Sequence, residues 1–192
     1  MSSMTVQAAK HDLARRTRCG LAYILAGALL WTVFGVLGLA LPDSPRKGLI
    51  YLFGAGLLWP LGLALGAALK LDLFARGNPL APLVGLLGGV QILFIPLMIG
   101  TYVTMPRMVP WYLAVLSGAH LLPFTWLYES SAYLFCAIVM VAVAGLTGWL
   151  LPGMTYVVTP LAVAAVLAST AWLLARADAQ RVLDATNTLM ER

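Results

Sequence analysis

Long apolar runs separated by short polar breaks dominate the pattern of the chain. Six runs lie near 20–41, 48–69, 80–102, 109–128, 132–151 and 155–175. A helix of about 20 apolar residues crosses the hydrocarbon core of a bilayer. The breaks between the runs contain Pro, Gly, Asn, Asp and Ser, which commonly end helices. The pattern therefore predicts an all-α, polytopic transmembrane helical bundle of about six spans.

The two ends of the chain differ from this apolar middle. We predict an N-terminal segment (1–18), a helical bundle (19–176) and a charged C-terminal tail (177–192). The apolar residues Val6 and Leu13 of the first segment suit either a stripe on the membrane surface or a disordered arm. The stretch GWLLPGMTYVV, between the last two runs, suits either a turn between spans or a kink in one long helix.

The composition agrees with a chain embedded in lipid. Hydrophobic residues make up 61% of the sequence and charged residues 10%, whereas a soluble domain carries about 25% charged residues. A water-facing surface cannot be built from so few charges. The chain is therefore expected to be a multi-pass integral membrane protein, and its Ala- and Leu-rich, Lys-poor composition suits a bacterial source.

The basic residues predict the orientation. Six spans place both termini on one side, and that side carries nine of the twelve Lys and Arg residues, while Arg46, Lys47 and Arg107 lie on the other. Because cytoplasmic loops are enriched in Lys and Arg, both termini are predicted to be cytoplasmic. The loop 70–79 and Glu129 then face the cytoplasm too.

Glycine spacing predicts where helices pack. Gly62 and Gly66 form a GxxxG motif in the second run, and Gly85, Gly88 and Gly89 form a smooth face on the third. Small residues allow helices to approach closely in lipid. Such faces suit packing within one chain and also a homo-oligomer.

Three runs carry a proline close to a polar or aromatic residue near mid-depth: Trp59 with Pro60, Gln91 with Pro96, and His120 with Pro123. Each proline removes one helical hydrogen bond and bends its span. Three bent helices side by side would enclose a cavity. Polar residues inside a membrane usually have a function, although Gln91 and His120 also suit simple helix-bridging hydrogen bonds.

Polar residues also gather where the bundle is expected to open to the cytoplasm. Glu129 lies in the reversal of GAHLLPFTWLYESSAYLF, and partial burial would make its carboxyl group a proton donor near neutral pH. Asp72 and Asn78 lie in KLDLFARGNPL. Asp72 is either a second acid or the partner of Arg76, four residues on. Asn78 precedes Pro79 and also suits the start of a helix.

An apolar cavity with acids at its mouth suits cyclisation of an isoprenoid. An acid protonates an epoxide or alkene, aromatic faces stabilise the carbocation, and exclusion of water prevents quenching. The candidate catalytic residues are Glu129, Asp72 and His120. The candidate substrate-binding residues are Trp59, Asn78, Gln91, Trp111, Tyr112, Phe124, Trp126 and Tyr133. His11 and His120 lack a supporting ligand cluster, so we expect neither a metal nor a cofactor.

The layout of residues 20–175, with acids on the cytoplasmic side, resembles the small bacterial integral-membrane terpene cyclases of meroterpenoid pathways, of the drimentine and xiamycin type. That resemblance implies a lipophilic substrate and acid-initiated cyclisation. The stretches GNPLAPLVGLLGGVQILFIPL and GAHLLPFTWLYESSAYLF also resemble segments of uncharacterised small bacterial membrane proteins. A small carrier and a non-enzymatic accessory protein therefore stay open as alternatives. The expected partners are a lipophilic small molecule and the bilayer, and no nucleic acid.

Overall fold

The computed structural model describes residues 4–42 and 44–190, and all regular secondary structure within these ranges is helical. We number the α-helices in chain order: α1 (Val6–Thr17), α2 (Leu21–Ala40), α3 (Lys47–Gly54), α4 (Leu58–Ala68), α5 (Ala81–Gly89), α6 (Ile95–Thr104), α7 (Val109–His120), α8 (Leu122–Tyr128), α9 (Ser131–Leu150) and α10 (Val158–Met190). Short 3₁₀ segments, Ala55–Leu57 and Val90–Phe94, join α3 to α4 and α5 to α6. The predicted all-α class is confirmed.

Five helical stretches in the described part of the chain are long and apolar enough to cross a membrane: Leu21–Ala40, Lys47–Ala68, Ala81–Thr104, Ser131–Leu150 and Val158–Arg181. They coincide with five of the six predicted runs and support a membrane protein. The remaining run, 109–128, forms α7 and α8, which contain 12 and 7 residues and are separated at Leu121. The count of six spans therefore stays a prediction.

The helices run alternately up and down between two ends of the bundle. At one end, which we call the cap end, α1 contacts the loop 70–79 through Arg16 and Asp72, and Arg18 contacts Asp178 of α10 at 3.2 Å. The other end, called the opposite end, holds the connections around residues 44, 107 and 155. Both α1 and the charged part of α10 thus lie at the cap end, which the basic residues predict to be cytoplasmic.

The core lies between α2, α7, α9 and α10, whereas α3 to α6 lie at the periphery. Trp31 and Phe34 of α2 are buried, but Leu86 and Leu93 of the third run are 71% and 74% exposed. Packing of this kind leaves large apolar faces for lipid.

The two predicted glycine faces have different environments. Gly62 and Gly66 lie directly against the side chains of Tyr23 and Leu73, so this GxxxG motif packs within the chain as small residues do between membrane helices. Around Gly85, Gly88 and Gly89, by contrast, a methyl group would meet no atom within 4 Å.

The N-terminal segment is an ordered helix that packs on the bundle. Thr5 caps α1 by accepting a hydrogen bond from the backbone N–H of Ala8 at 3.2 Å. Ala9 and Leu13 are fully buried against the protein, whereas Val6 is 56% exposed. The apolar stripe therefore faces protein and stops short of Val6.

A sharp reversal joins α1 to α2. Arg18, Cys19 and Gly20 all have positive φ angles, of 45°, 52° and 71°, and a positive φ is costly for residues with a side chain. The O–H of Tyr133 donates to the carbonyl of Cys19 at 2.6 Å and holds this turn against α9. At the other terminus α10 runs without a break to Met190, so the predicted tail continues the last span as helix.

Candidate ligand-binding site

Three helix interruptions lie immediately before three prolines. A proline cannot donate a hydrogen bond to the carbonyl four residues before it, and its ring crowds that carbonyl. The affected carbonyls belong to Gly56, Ile92 and Ala119, and the chain departs from α-helix at Ala55–Leu57, Val90–Phe94 and Leu121. The loss of helical hydrogen bonds expected from Pro60, Pro96 and Pro123 therefore coincides with three interruptions, whereas the bends stay a prediction.

Residues at or near these interruptions line one cavity of about 20 Å³: Leu30, Trp31, Phe34, Ala55, Leu58, Gln91, Leu113 and Ser117. This volume holds about one water-sized group. Pockets for small molecules usually measure about 300–1,000 Å³. A cavity thus lies beside the three interruptions, but it is far too small to enclose an isoprenoid.

Gln91 and His120 form a hydrogen-bonded pair beside this cavity. The amide nitrogen of Gln91 lies 2.8 Å from Nδ1 and 3.2 Å from Nε2 of His120. Nδ1 also lies 2.6 Å from the carbonyl oxygen of Ser117. Because that carbonyl can only accept, we assign the proton to Nδ1, and Nε2 is then the ring nitrogen that accepts from the Gln91 amide. His120 is held at both nitrogens.

Two polar atoms at the cavity are left for a ligand. Within residues 4–42 and 44–190, neither the hydroxyl of Ser117 nor the amide oxygen of Gln91 has a hydrogen-bond partner. Both residues line the cavity and are partly exposed. The site therefore offers one hydroxyl group and one amide oxygen to a molecule that enters from outside.

Glu129 lies at the cap end, away from this cavity, and contacts α1. Lys10 Nζ lies 3.4 Å from one carboxylate oxygen, and the Gln7 amide donates to the other at 2.9 Å. His11 Nε2 is 3.9 Å from the same group. Lys10 is almost buried and also lies 3.6 Å from the centre of the Trp126 ring. The carboxylate is thus matched with a cation.

Asp72 also contacts α1. The Arg16 guanidinium donates to Asp72, with a distance of 3.0 Å from Nε, and to the backbone carbonyl of Arg76. The hydrogen bond from Arg16 lowers the pKa of Asp72. The predicted pairing of Asp72 with Arg76 is wrong, because Arg76 contributes only its carbonyl while Arg16 supplies the cation.

Asn78 completes the contact between α1 and the loop 70–79. Its side-chain amide donates to the carbonyl of Ala9 at 2.8 Å and to the carboxylate of Asp12 at 2.9 Å. The hydrogen bond from Asn78 to Asp12 is the main cause of the lowered pKa of Asp12. The amide oxygen accepts from the backbone N–H of Leu80 at 2.9 Å, which agrees with a helix-start role.

The structure thus brings Glu129, Asp72 and Asn78 to one end of the bundle, but α1 lies between them. We call the contacts of α1 with these three residues the cap contacts. The sequence analysis missed Lys10, Asp12 and Arg16, which make the cap contacts from the α1 side. The spacing of Asp12 and Arg16, four residues apart, was the available signal for a helix.

The predicted aromatic residues divide into separate groups. Phe124 and Tyr133 are buried and stack with Tyr128, with ring centres 5.5 to 5.9 Å apart. Trp111 packs on Tyr112 at 4.5 Å and against Gly148. Trp59 and Trp126 are 50% and 55% exposed. None of the six aromatic residues that were predicted to bind substrate lines the cavity. The aromatic residues that line it are Trp31 and Phe34.

A metal site is not seen in the described ranges, because no three His, Cys, Asp or Glu side chains there lie close enough together to hold an ion. A family model described as "Family of unknown function (DUF7010)" matches residues 6–177. No curated protein and no solved structure matches the chain significantly. The resemblance to membrane terpene cyclases therefore receives no support from a named relative.

Proposed function

We propose that this protein, which belongs to the DUF7010 family, binds a lipophilic small molecule inside the membrane. The ligand's polar group occupies the cavity at the three helix interruptions. The observation that carries this proposal is the unpaired oxygen of Gln91 and the unpaired hydroxyl of Ser117 on a cavity within the apolar part of the bundle. Polar groups at membrane depth are costly unless they have a partner, and a ligand supplies that partner.

The geometry favours binding over transport across the membrane. The cap contacts close one end of the bundle. At the opposite end the Tyr51 hydroxyl lies within hydrogen-bond distance of the carbonyl oxygens of Phe34 and Tyr156 and can donate to either, and Lys47 donates to the carbonyl of Gly38 at 2.8 Å. A carrier needs a path from each aqueous side to its site. The residues that line the cavity all lie away from both ends, so an accessory or enzymatic role for the protein agrees better with this geometry.

Acid-initiated cyclisation is the second candidate function. Trp31 and Phe34 line the cavity. Their rings would stabilise a carbocation that formed there. What this proposal still needs is an acid at the cavity, because Glu129 and Asp72 bind α1 at the cap end. The chemistry would require α1 to move and the cavity to widen.

The binding proposal is tested by the lipids that copurify with the protein. We expect mass spectrometry of extracts from the purified wild type to show a neutral lipophilic molecule in roughly stoichiometric amount. Ser117→Leu, which fills the cavity with an apolar side chain, should lose it. Ser169→Leu is the matched control, since Ser169 is exposed and lies away from the cavity. Equal lipid content in all three proteins would overturn the proposal.

A further inference from the structure

We infer that the ligand is an uncharged long-chain alcohol, which enters sideways from the bilayer and places its hydroxyl group between Gln91 and Ser117. This inference rests on the proposed binding function and adds the chemistry of the ligand and its route. Three independent observations carry it: the size of the cavity, the polar atoms that it leaves unpaired, and the side on which it is open.

The size restricts the head group. A cavity of about 20 Å³ admits one water-sized group. A hydroxyl and its first carbon meet this limit, whereas a phosphate, a sulfate or a sugar does not. Only the head group needs to enter the cavity, so the small volume agrees with a long ligand whose chain lies outside.

The unpaired atoms restrict the chemistry further. The Gln91 oxygen can only accept a hydrogen bond, and the Ser117 hydroxyl can donate one. An alcohol donates to the first and accepts from the second, so both are satisfied. A ketone or an ether cannot donate a hydrogen bond to the Gln91 oxygen. An anion would find no cation, because none of the eight residues that line the cavity carries a charge.

The exposed side of the cavity gives the route. Ala55, Leu58, Leu113 and the two polar residues are partly exposed, so the cavity opens on the flank of the bundle. The adjoining stretch Ala81–Thr104 is scarcely buried, and its Ile92 is 66% exposed. An alkyl chain can lie along this apolar surface while its hydroxyl reaches the cavity. None of the residues that line the cavity belongs to the connections at either aqueous end, so lipid is the direct route.

Two photoreactive probes test the head group. They carry the same diazirine-bearing alkyl chain, one as a primary alcohol and the other as an alkyl sulfate, which stays charged at any working pH. In phosphatidylcholine vesicles, we expect the alcohol to label residues 81–104 or 113–117. Labelling should fall about tenfold in Ser117→Leu, as expected for the loss of about one hydrogen bond, and should not change in Ser169→Leu.

The outcomes separate this inference from the binding function on which it rests. Equal labelling of these residues by the sulfate would overturn the uncharged head group and leave the binding site standing. Absence of labelling there by either probe, with labels only elsewhere on the bundle, would overturn the binding function itself. Unchanged labelling in Ser117→Leu would show that the hydroxyl group of the probe does not bind beside Ser117.

The route is tested with Ser117→Cys and Leu113→Cys, made in a chain where Cys19 and Cys136 are changed to Ser and Ala. Each new thiol carries a nitroxide label that is attached in detergent before reconstitution. In proteoliposomes, molecular oxygen, which concentrates in lipid, should relax both labels more strongly than a charged, water-soluble relaxing agent does. Stronger relaxation by the water-soluble agent would show a path from water and overturn entry from the bilayer.

Discussion

Lys10 lies 3.4 Å from a carboxylate oxygen of Glu129, which is 119 residues further along the chain. The contact ties α1 to the end of α8, a short helix that the interruption at Leu121 separates from α7. His120, at the end of α7, belongs to the cavity pair on the other side of that interruption. The N-terminal helix is thus attached to a short segment that leads directly to the binding site, so the position of α8 depends on α1.

Loss of the ion pair between Lys10 and Glu129 should weaken the cap contacts. Exposed or half-exposed pairs stabilise by about 0–1 kcal/mol, and the Glu129 side chain is 38% exposed. We therefore expect Lys10→Gln to increase the alkylation rate of Cys19 by up to about fivefold. Cys19 reports on the cap because it lies in the turn after α1, is 5% exposed, and has a pKa that burial raises.

Arg46→Gln, which removes a charge at the opposite end, is the control for this experiment and should leave the rate unchanged. The double variant Lys10→Gln with Glu129→Gln should react no faster than the single variants, because both remove the same interaction. Fully additive effects of the two changes would show that Lys10 and Glu129 act independently.

The contacts of α1 with the loop 70–79, which involve Asp12 and Asp72, should resist acid until low pH. Hydrogen bonds from Asn78 and Arg16 lower the pKa values of Asp12 and Asp72 below the ordinary value of 3.8. A lowered pKa stabilises the folded contact above the ordinary value, and that contribution is lost as the pH falls through the folded pKa. The distance between spin labels at Arg15 and Phe74 should therefore stay constant from neutral pH to about 4, and increase below it. An increase already between neutral pH and pH 5 would show that these two carboxylates do not control the contact.

Restoring a helical N–H should close the interruption at Gln91. Pro96→Ala returns a donor to the carbonyl of Ile92, and a proline inside a helix costs about 3 kcal/mol in soluble proteins. We expect a higher thermal unfolding midpoint in detergent together with loss of the copurified lipid. Pro82→Ala is the matched control, because a loop precedes the first turn of α5, whereas the helical segment Val90–Phe94 runs directly into the first turn of α6 at Pro96. A lower midpoint for Pro96→Ala would show that the interruption has another cause.

Two glycine substitutions distinguish tight packing from open surface. A methyl group on Gly38 would overlap the backbone carbonyl of Tyr156, whereas one on Gly85 would meet nothing within 4 Å. Gly38→Ala should lower the free energy of unfolding by about 1–3 kcal/mol, as overpacking usually does, and Gly85→Ala should be neutral. Loss of a crosslinkable dimer in Gly85→Leu would show that a second copy packs on this face.

The helices were predictable because their signals are local. The apolar runs located five long helices, and the position of each proline relative to its span located an interruption. The cap contacts were not predictable, because the pairing of Arg16 with Asp72 depends on how α1 folds back through the turn at Arg18, Cys19 and Gly20. Because Asp72 pairs with Arg16, it does not pair with Arg76. The size of the cavity depends on side-chain packing and has no sequence signal of its own.

Glu129→Gln decides between the two candidate functions. Glu129 lies nine residues after His120, beyond the interruption at Leu121 and the end of α8, and it contacts Lys10 and Gln7. If the protein binds its ligand without acid chemistry, the variant should keep the copurified lipid and the labelling of residues 81–104. If Glu129 is the acid of a cyclase, turnover of an isoprenoid epoxide should fall by about a hundredfold or more.

The glutamine keeps the shape of the side chain and removes the proton, so expression and thermal stability provide the control for folding. Asp72→Asn, made in parallel, tests the other predicted acid in the same assay. His120→Ala should affect both functions, because the imidazole holds Gln91 in place. We expect it to lose the lipid whether or not a reaction occurs. Retention of the lipid in His120→Ala and in Ser117→Leu would locate the ligand outside the cavity.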